Sequence, residues 1–191
     1  MTSPDPAMPE PAAAPPPGLY NIANLVTVVR MLLVPVFVWL LFTDGTATRV
    51  GALAVFVIAS ITDRLDGELA RRRAIVTDFG KIADPIADKA LTGSALVSLS
   101  IMGELWWWVT IVILIREIGI TLLRFVVIRF GVIPASKGGK VKTMLQVIAI
   151  ALYITPGPLD PLRWAVMAAA LAVTVATGLD YVLRAWRLSR S

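Results

Sequence analysis

From residue 24 onward the chain alternates long apolar runs with short polar joints. A helix crossing a bilayer needs about 20 residues at a rise of about 1.5 Å each. Six runs approach or exceed that length: 24–43, 48–70, 80–102, 105–131, 139–156 and 161–186. Asp44-Gly45, Gly103-Glu104 and Pro156-Gly157-Pro158 break the pattern on one side, and Arg71–Thr77 and Pro134–Gly138 on the other. The pattern predicts an all-α polytopic membrane protein with six transmembrane helices, and the short joints predict that successive helices are antiparallel neighbours. Leu19–Ala23 is a candidate for a short amphipathic segment lying at the interface.

Residues 1–18 hold seven of the 13 prolines and almost no large apolar side chain, so a disordered tail is expected there, ahead of one transmembrane domain over 19–191. The start lacks the basic flank and apolar core of a signal peptide, which predicts that the first helix is retained in the mature protein.

Composition agrees with a membrane location: 57% of residues are hydrophobic and 16% charged, with a mean hydropathy of +0.77. The chain has no Cys and no His, which excludes disulfide scaffolds, thiolate nucleophiles, Ser-His-Asp triads and histidine metal sites. Acid–base or metal chemistry must then rest on carboxylates. The net charge of +5 does not argue for nucleic acid, because basic residues flanking membrane segments are usual. They gather at Arg71, Arg72, Arg73 and Lys81, at Lys137, Lys140 and Lys142, and at Arg184, Arg187 and Arg190, all on one side. The opposite joints carry little beyond Arg49 and Arg163. The positive-inside rule therefore puts both termini and the clustered side in the cytoplasm, with Trp106, Trp107 and Trp108 as an aromatic belt at the far interface.

Asp63, Asp66, Asp84 and Asp88 stand inside or at the ends of apolar helices. An aspartate at mid-bilayer costs roughly 2.5–3.5 kcal/mol on insertion scales, so four require water, a cation or one another. Asp63 and Asp66 are three apart and Asp84 and Asp88 four apart, so each pair shares a helical face. A hairpin between the helices brings the pairs together, where their mutual repulsion calls for divalent cations. All-oxygen ligation fits Mg²⁺ or Mn²⁺, and two such ions suit displacement at phosphorus. Gly67, Ala70 and Gly80 allow close approach of a helix or a flat ligand, and Arg71 stands at the same mouth. Ordinary small-residue packing and a positive-inside anchor are the plainer readings of these four. For Arg72 and Arg73 the anchor is preferred.

Together these residues spell Asp63-x2-Asp66-Gly67-x2-Ala70-Arg71-x8-Gly80-x3-Asp84-x3-Asp88. This string resembles the signature of the CDP-alcohol phosphatidyltransferases, with no fixed position missing. The resemblance implies an integral membrane enzyme of six transmembrane helices, usually a homodimer, that moves a phosphatidyl group from CDP-diacylglycerol to an alcohol and releases CMP. It further implies that Asp63, Asp66, Asp84 and Asp88 hold the divalent metals, that Asp88 is also the general base, and that Gly67, Ala70, Arg71 and Gly80 sit against the cytidine diphosphate. Asp78 lies outside the pattern, as a helix cap or a minor nucleotide contact.

Three further stretches bear on the acceptor and resemble the phosphatidylglycerophosphate synthase branch of that family. The first is Asn21–Arg30, with Asn24, Thr27 and Arg30 in matching positions. Asn24 is either a cap or a CDP-diacylglycerol contact. Arg30 either reaches back about 9 Å to the interface or faces the site, and the second is preferred. The second stretch is Arg116-Glu117-Ile118, an opposite-charge pair inside the fourth helix. The third is Ala135–Thr143 with Gln146, read together with Gly80–Lys89. By this resemblance the acceptor is sn-glycerol 3-phosphate, whose dianion would be met by Arg116, Lys137, Lys140, Lys142, Thr143 and Arg124. Without the resemblance, a plain basic loop is the preferred reading of the lysines, since topology alone predicts one. Other acceptors, such as inositol phosphate or phosphatidylglycerol, and a divalent-cation transporter built on the four aspartates are the competing readings.

Overall fold

The structure is a computed structural model that describes residues 22–72, 78–127 and 137–188. For 22–26, 63–72, 78–85, 88, 124–127, 137 and 188 that description covers the helical backbone alone. The proline-rich tail, most of the Leu19–Ala23 segment and the joints 73–77 and 128–136 lie outside the described residues.

Among the described residues six helices follow in order: α1 (Ile22–Phe42), α2 (Thr46–Arg72), α3 (Asp78–Ile101), α4 (Trp107–Val127), α5 (Lys137–Ile154) and α6 (Asp160–Leu188). No strand occurs among the described residues. Their ends fall within two residues of those expected from the apolar pattern, except where the description of α4 stops at Val127. The breaks are made as their residue types dictate. Gly45 takes a φ of +128° at the α1–α2 turn, where the Thr48 hydroxyl donates to the Thr43 and Gly45 carbonyls at 2.8 and 2.7 Å. At the end of α3, Gly103 has a φ of +75°; its N–H donates to the Ser100 carbonyl at 3.1 Å, and the Glu104 N–H donates to Leu99 at 3.0 Å. That pair of bonds is the Schellman closure, which glycine adopts without a Cβ penalty.

α1 packs on α2 and α3; α3 also meets α4 and α5; α5 lies against α2 and α6, and α6 closes on α4. Phe37, Leu41, Phe56, Leu96, Leu99, Ile113, Ile150 and Ile154 form the core, with the Phe37 and Phe56 rings 5.7 Å apart. Ala52, Ala95, Ala149 and Ala170 are fully buried, and their small side chains let the helices approach closely. The outer surface is also apolar, with Leu32, Trp39, Ile115, Leu122 and Leu179 all exposed.

Successive helices are neighbours for α1–α2, α2–α3, α3–α4 and α5–α6, but α4 packs on α3 and α6 rather than along α5. The expectation that every consecutive pair would be neighbours fails there. The interval 128–136 is nine residues, with a reach of roughly 30 Å, and need not hold its two helices side by side. By length and composition, Asp160–Arg187 is the one stretch among the described residues long and apolar enough to cross a membrane. Thr27–Phe42, Thr46–Thr62 and Lys89–Ile101 are shorter apolar stretches within the residues whose side chains are described.

At the end of the bundle away from the aspartate signature, two arginines take up the last carbonyls of α5. Arg49, near the start of α2, holds Glu104 in a two-pronged ion pair and donates to the Ile154 and Tyr153 carbonyls at 3.1 and 2.9 Å. Arg163 donates to the Leu152 carbonyl at 3.0 Å, to Gly157 at 2.9 Å and to Thr155. The C-terminal carbonyls of a helix have no partners within it and carry partial negative charge, so two guanidinium groups answer both needs. These are the two basic residues that the sequence places at the joints opposite the positive clusters. Beside them Trp106 meets Trp164 edge to face at 4.3 Å, and with Trp108 they border an apolar groove of about 550 Å³ along α6.

Replacing Arg49 by Met leaves Glu104 and two carbonyls unanswered, and the expected loss is about 2 kcal/mol. Thermal unfolding in detergent checks this, with Arg49→Met/Glu104→Gln expected to recover part of the loss.

Candidate functional site

The signature occupies two helical ends that face the same joint. Asp63, Asp66, Gly67, Ala70 and Arg71 stand on the last turns of α2, and Asp78, Gly80, Asp84 and Asp88 on the first turns of α3, with 73–77 between them. Their side chains lie outside the described residues, except that their helical spacing is set by the backbone: Asp63 and Asp66, like Asp84 and Asp88, are one turn apart on a common face. α2 and α3 touch each other and both pack on α1. Four carboxylates, with no His or Cys anywhere in the chain, form a donor set suited to a hard divalent cation and unsuited to a soft one.

α1 brings polar groups inward at the same end. Thr27 and Arg30 are buried, with Arg30 only 3% exposed, so this arginine is held within the bundle rather than extended along its outer surface. Asn24 lies in the first turn of α1, and its side chain is outside the described residues.

A cluster of charges joins α3, α4 and α5 just inside this end. Glu117 of α4 accepts from the Nζ of Lys142 on α5 and from Nη1 of Arg116 at 3.2 Å, and Lys89 Nζ of α3 stands 3.8 Å from its other oxygen. The Lys142 side chain is 5% exposed and that of Glu117 16%. In so dry a place each charge depends on the other for compensation. Arg116 also donates from Nη2 to the Thr177 hydroxyl of α6 at 3.0 Å. Among the described residues three cations, Lys89, Arg116 and Lys142, face one carboxylate, a surplus of two positive charges. Lys89 follows Asp88 directly in α3, so the cluster and the last position of the signature share one level along that helix.

The remaining basic positions are distributed differently. Lys140 is exposed, two residues from Lys142 and therefore on another face of α5. Thr143 is half-buried, and its hydroxyl donates to the Gly139 carbonyl of its own helix at 3.1 Å. Lys137 begins α5 and Arg124 lies in α4, with both side chains outside the described residues. Sequence reasoning paired Arg116 with Glu117 but missed that Lys142 and Lys89 share the same carboxylate. It also missed Thr177. Partners 25 and 28 places from Glu117, and 61 from Arg116, carry no local signal of that meeting.

A family model described as CDP-alcohol phosphatidyltransferase matches residues 20–176. A protein of Mycobacterium tuberculosis named a probable phosphatidylglycerophosphate synthase is 55% identical over 172 residues, covering 87% of this chain and 82% of that one. A CDP-diacylglycerol–glycerol-3-phosphate 3-phosphatidyltransferase of Bacillus subtilis is 36% identical over 186 residues, covering 88% and 96% of the two chains. One of the same name from Pseudomonas fluorescens is 35% identical over 178 residues, covering 87% and 90%.

The contrast between the two lysines of α5 gives a test of the cluster. Lys142→Met strips Glu117 of its closest partner and is expected to cost about 2–3 kcal/mol, whereas Lys140→Met stays within about 0.5 kcal/mol of the parent. Unfolding midpoints of the two variants in the same detergent decide it.

Proposed function

The chain belongs to the CDP-alcohol phosphatidyltransferase family, and from that premise we infer that it transfers a phosphatidyl group from CDP-diacylglycerol to sn-glycerol 3-phosphate, giving phosphatidylglycerol phosphate and CMP. The names of the relatives favour glycerol 3-phosphate, and the observation that carries a phosphorylated acceptor is the half-buried cluster of Arg116, Lys142 and Lys89 around Glu117. Its surplus of two positive charges matches a phosphate monoester dianion, and it lies beside the carboxylates that the family's reaction employs. Serine or an uncharged alcohol would not need it.

In this reading Asp63, Asp66, Asp84 and Asp88 hold two ions of Mg²⁺ or Mn²⁺. Bound there, the ions supply positive charge against the diphosphate and the departing CMP. Asp88 accepts the proton of the acceptor's 1-hydroxyl as that oxygen bonds to the β-phosphorus and the bond from phosphorus to the CMP oxygen breaks. With no His in the chain, a carboxylate is the proton acceptor best suited to neutral pH at this site. Gly67, Ala70 and Gly80 give the nucleotide close access to the helix backbones. Arg71 and Arg30 meet phosphate oxygens and Asn24 offers an amide near them. Arg116, Lys137, Lys140, Lys142 and Thr143 serve the acceptor's phosphate. The six helices span the bacterial cytoplasmic membrane as a homodimer, with both termini and the site on the cytoplasmic side, where the basic joints gather.

Purified protein in lipid, given CDP-diacylglycerol and Mg²⁺, is expected to release CMP with glycerol 3-phosphate and not with serine, inositol phosphate or phosphatidylglycerol. Asp88→Asn should lower that rate by about 10³-fold, and removal of the divalent ion with EDTA should abolish it until Mg²⁺ is restored. Turnover with a different acceptor overturns the glycerol 3-phosphate reading. Metal flux without CMP release from any acceptor overturns the enzyme reading in favour of a cation transporter.

A further inference from the structure

Arg116 is held from two sides, and one of them is a helix that the signature does not reach. Gly178 of α6 is buried, and a Cβ added there would lie 3.1 Å from Arg116 Cγ, 3.5 Å from Nε and 3.9 Å from Cδ. The first of these distances is closer than ordinary van der Waals contact, so the arginine stem lies directly on the α6 backbone, in space that any larger residue would take. One residue earlier, the Thr177 hydroxyl accepts from Arg116 Nη2 at 3.0 Å while donating its own proton to the Val173 carbonyl at 2.7 Å. That second bond fixes the hydroxyl as an acceptor toward the guanidinium. On the other side Glu117 takes Nη1 and at the same time Lys142 Nζ. Nη1 and Nη2 each commit one N–H in this way, Nε is buried against α6, and the second N–H of each Nη is left for an anion.

We propose that Glu117, Thr177 and Gly178 are positioning residues for recognition of the acceptor's phosphate monoester: Glu117 gathers Arg116 and Lys142 into one cationic pair, and the Thr177-Gly178 step of α6 seats the arginine. This rests on the reading of that cluster as the acceptor site. Three like-charged side chains would otherwise repel one another, and a single carboxylate among them lowers that repulsion while leaving enough positive charge for a dianion. Glu117 is then not a base. Its neutral isostere should disturb binding of the phosphate and not the chemical step.

The test is steady-state CMP release by the full chain in mixed micelles, varying each substrate at saturating levels of the other. Gly178→Ala is expected to raise KM for glycerol 3-phosphate about tenfold, with kcat and KM for CDP-diacylglycerol within about twofold of the parent. Glu117→Gln should do the same, and Glu117→Asp should recover part of the loss. Gly119→Ala is the control, since a Cβ there meets nothing within 4 Å. In an Arg116→Lys background Gly178→Ala should add less than about twofold, because the seat then has no guanidinium to hold. If Gly178→Ala does not fold, Thr177→Val carries the same test without crowding. Equal changes in kcat and both KM values, or full additivity with Arg116→Lys, would overturn the proposal in favour of plain helix packing. A fall in kcat alone for Glu117→Gln would overturn it in favour of a direct chemical role. If Arg116→Ala leaves KM for glycerol 3-phosphate unchanged, the acceptor-site reading itself fails. If Arg116→Ala raises it and Gly178→Ala and Thr177→Val do not, this proposal alone fails.

Discussion

The ion pair between Glu117 and Lys142 expresses the constraint under which the whole bundle is built. A charge placed among apolar helices must find its counter-charge inside the protein, because neither lipid nor core supplies one. Meeting that need draws side chains from separate helices to a single point, and the point then specifies how the helices sit. Glu117 gathers Lys89 from α3 and Lys142 from α5, while its neighbour Arg116 reaches Thr177 on α6. α4 and α5 pack little along their lengths, yet they are tied here by charge.

The same constraint is met differently at the opposite end. There Arg49 and Arg163 answer backbone carbonyls and local carboxylates, so their charges are consumed by the fold. A guanidinium that bridges Glu104 and the end of α5 has little left to offer a ligand. Around Glu117 the described cations outnumber the carboxylate at which they gather, so their charges are not consumed in the same way. The sealed end also bears on the open one. α2 and α5 are anchored at one extremity by Arg49, so the signature on α2 and Lys142 on α5 project from helices whose far ends are joined.

Much of the architecture was legible in the chain itself. The six apolar runs and the Asp44-Gly45, Gly103 and Pro156-Gly157-Pro158 breaks are local facts, and the helices begin and end where those residues require. The placement of the aspartates one turn apart within α2 and within α3 was legible too, since a spacing of three or four is a property of one helix. Arg49 and Arg163 were visible as exceptions to the charge asymmetry, but nothing beside them in sequence revealed the α5 carbonyls they cap. Likewise Arg116 and Glu117 read as a self-sufficient pair because they are adjacent. Adjacency says little on a helix, where consecutive side chains point about 100° apart.

The sequence by itself determined the helical segments, the apolar character of their outer faces and the set of carboxylates suited to hard cations, because each depends on residue type and on periodicity within a single helix. Tertiary structure alone decided that α4 lies against α6 instead of α5, that Lys142 rather than Lys140 is buried, and that Gly178 makes room for Arg116. Those outcomes turn on which helical faces meet, and a charge 25 residues away along the chain becomes a partner only when folding brings the two faces within reach of a hydrogen bond.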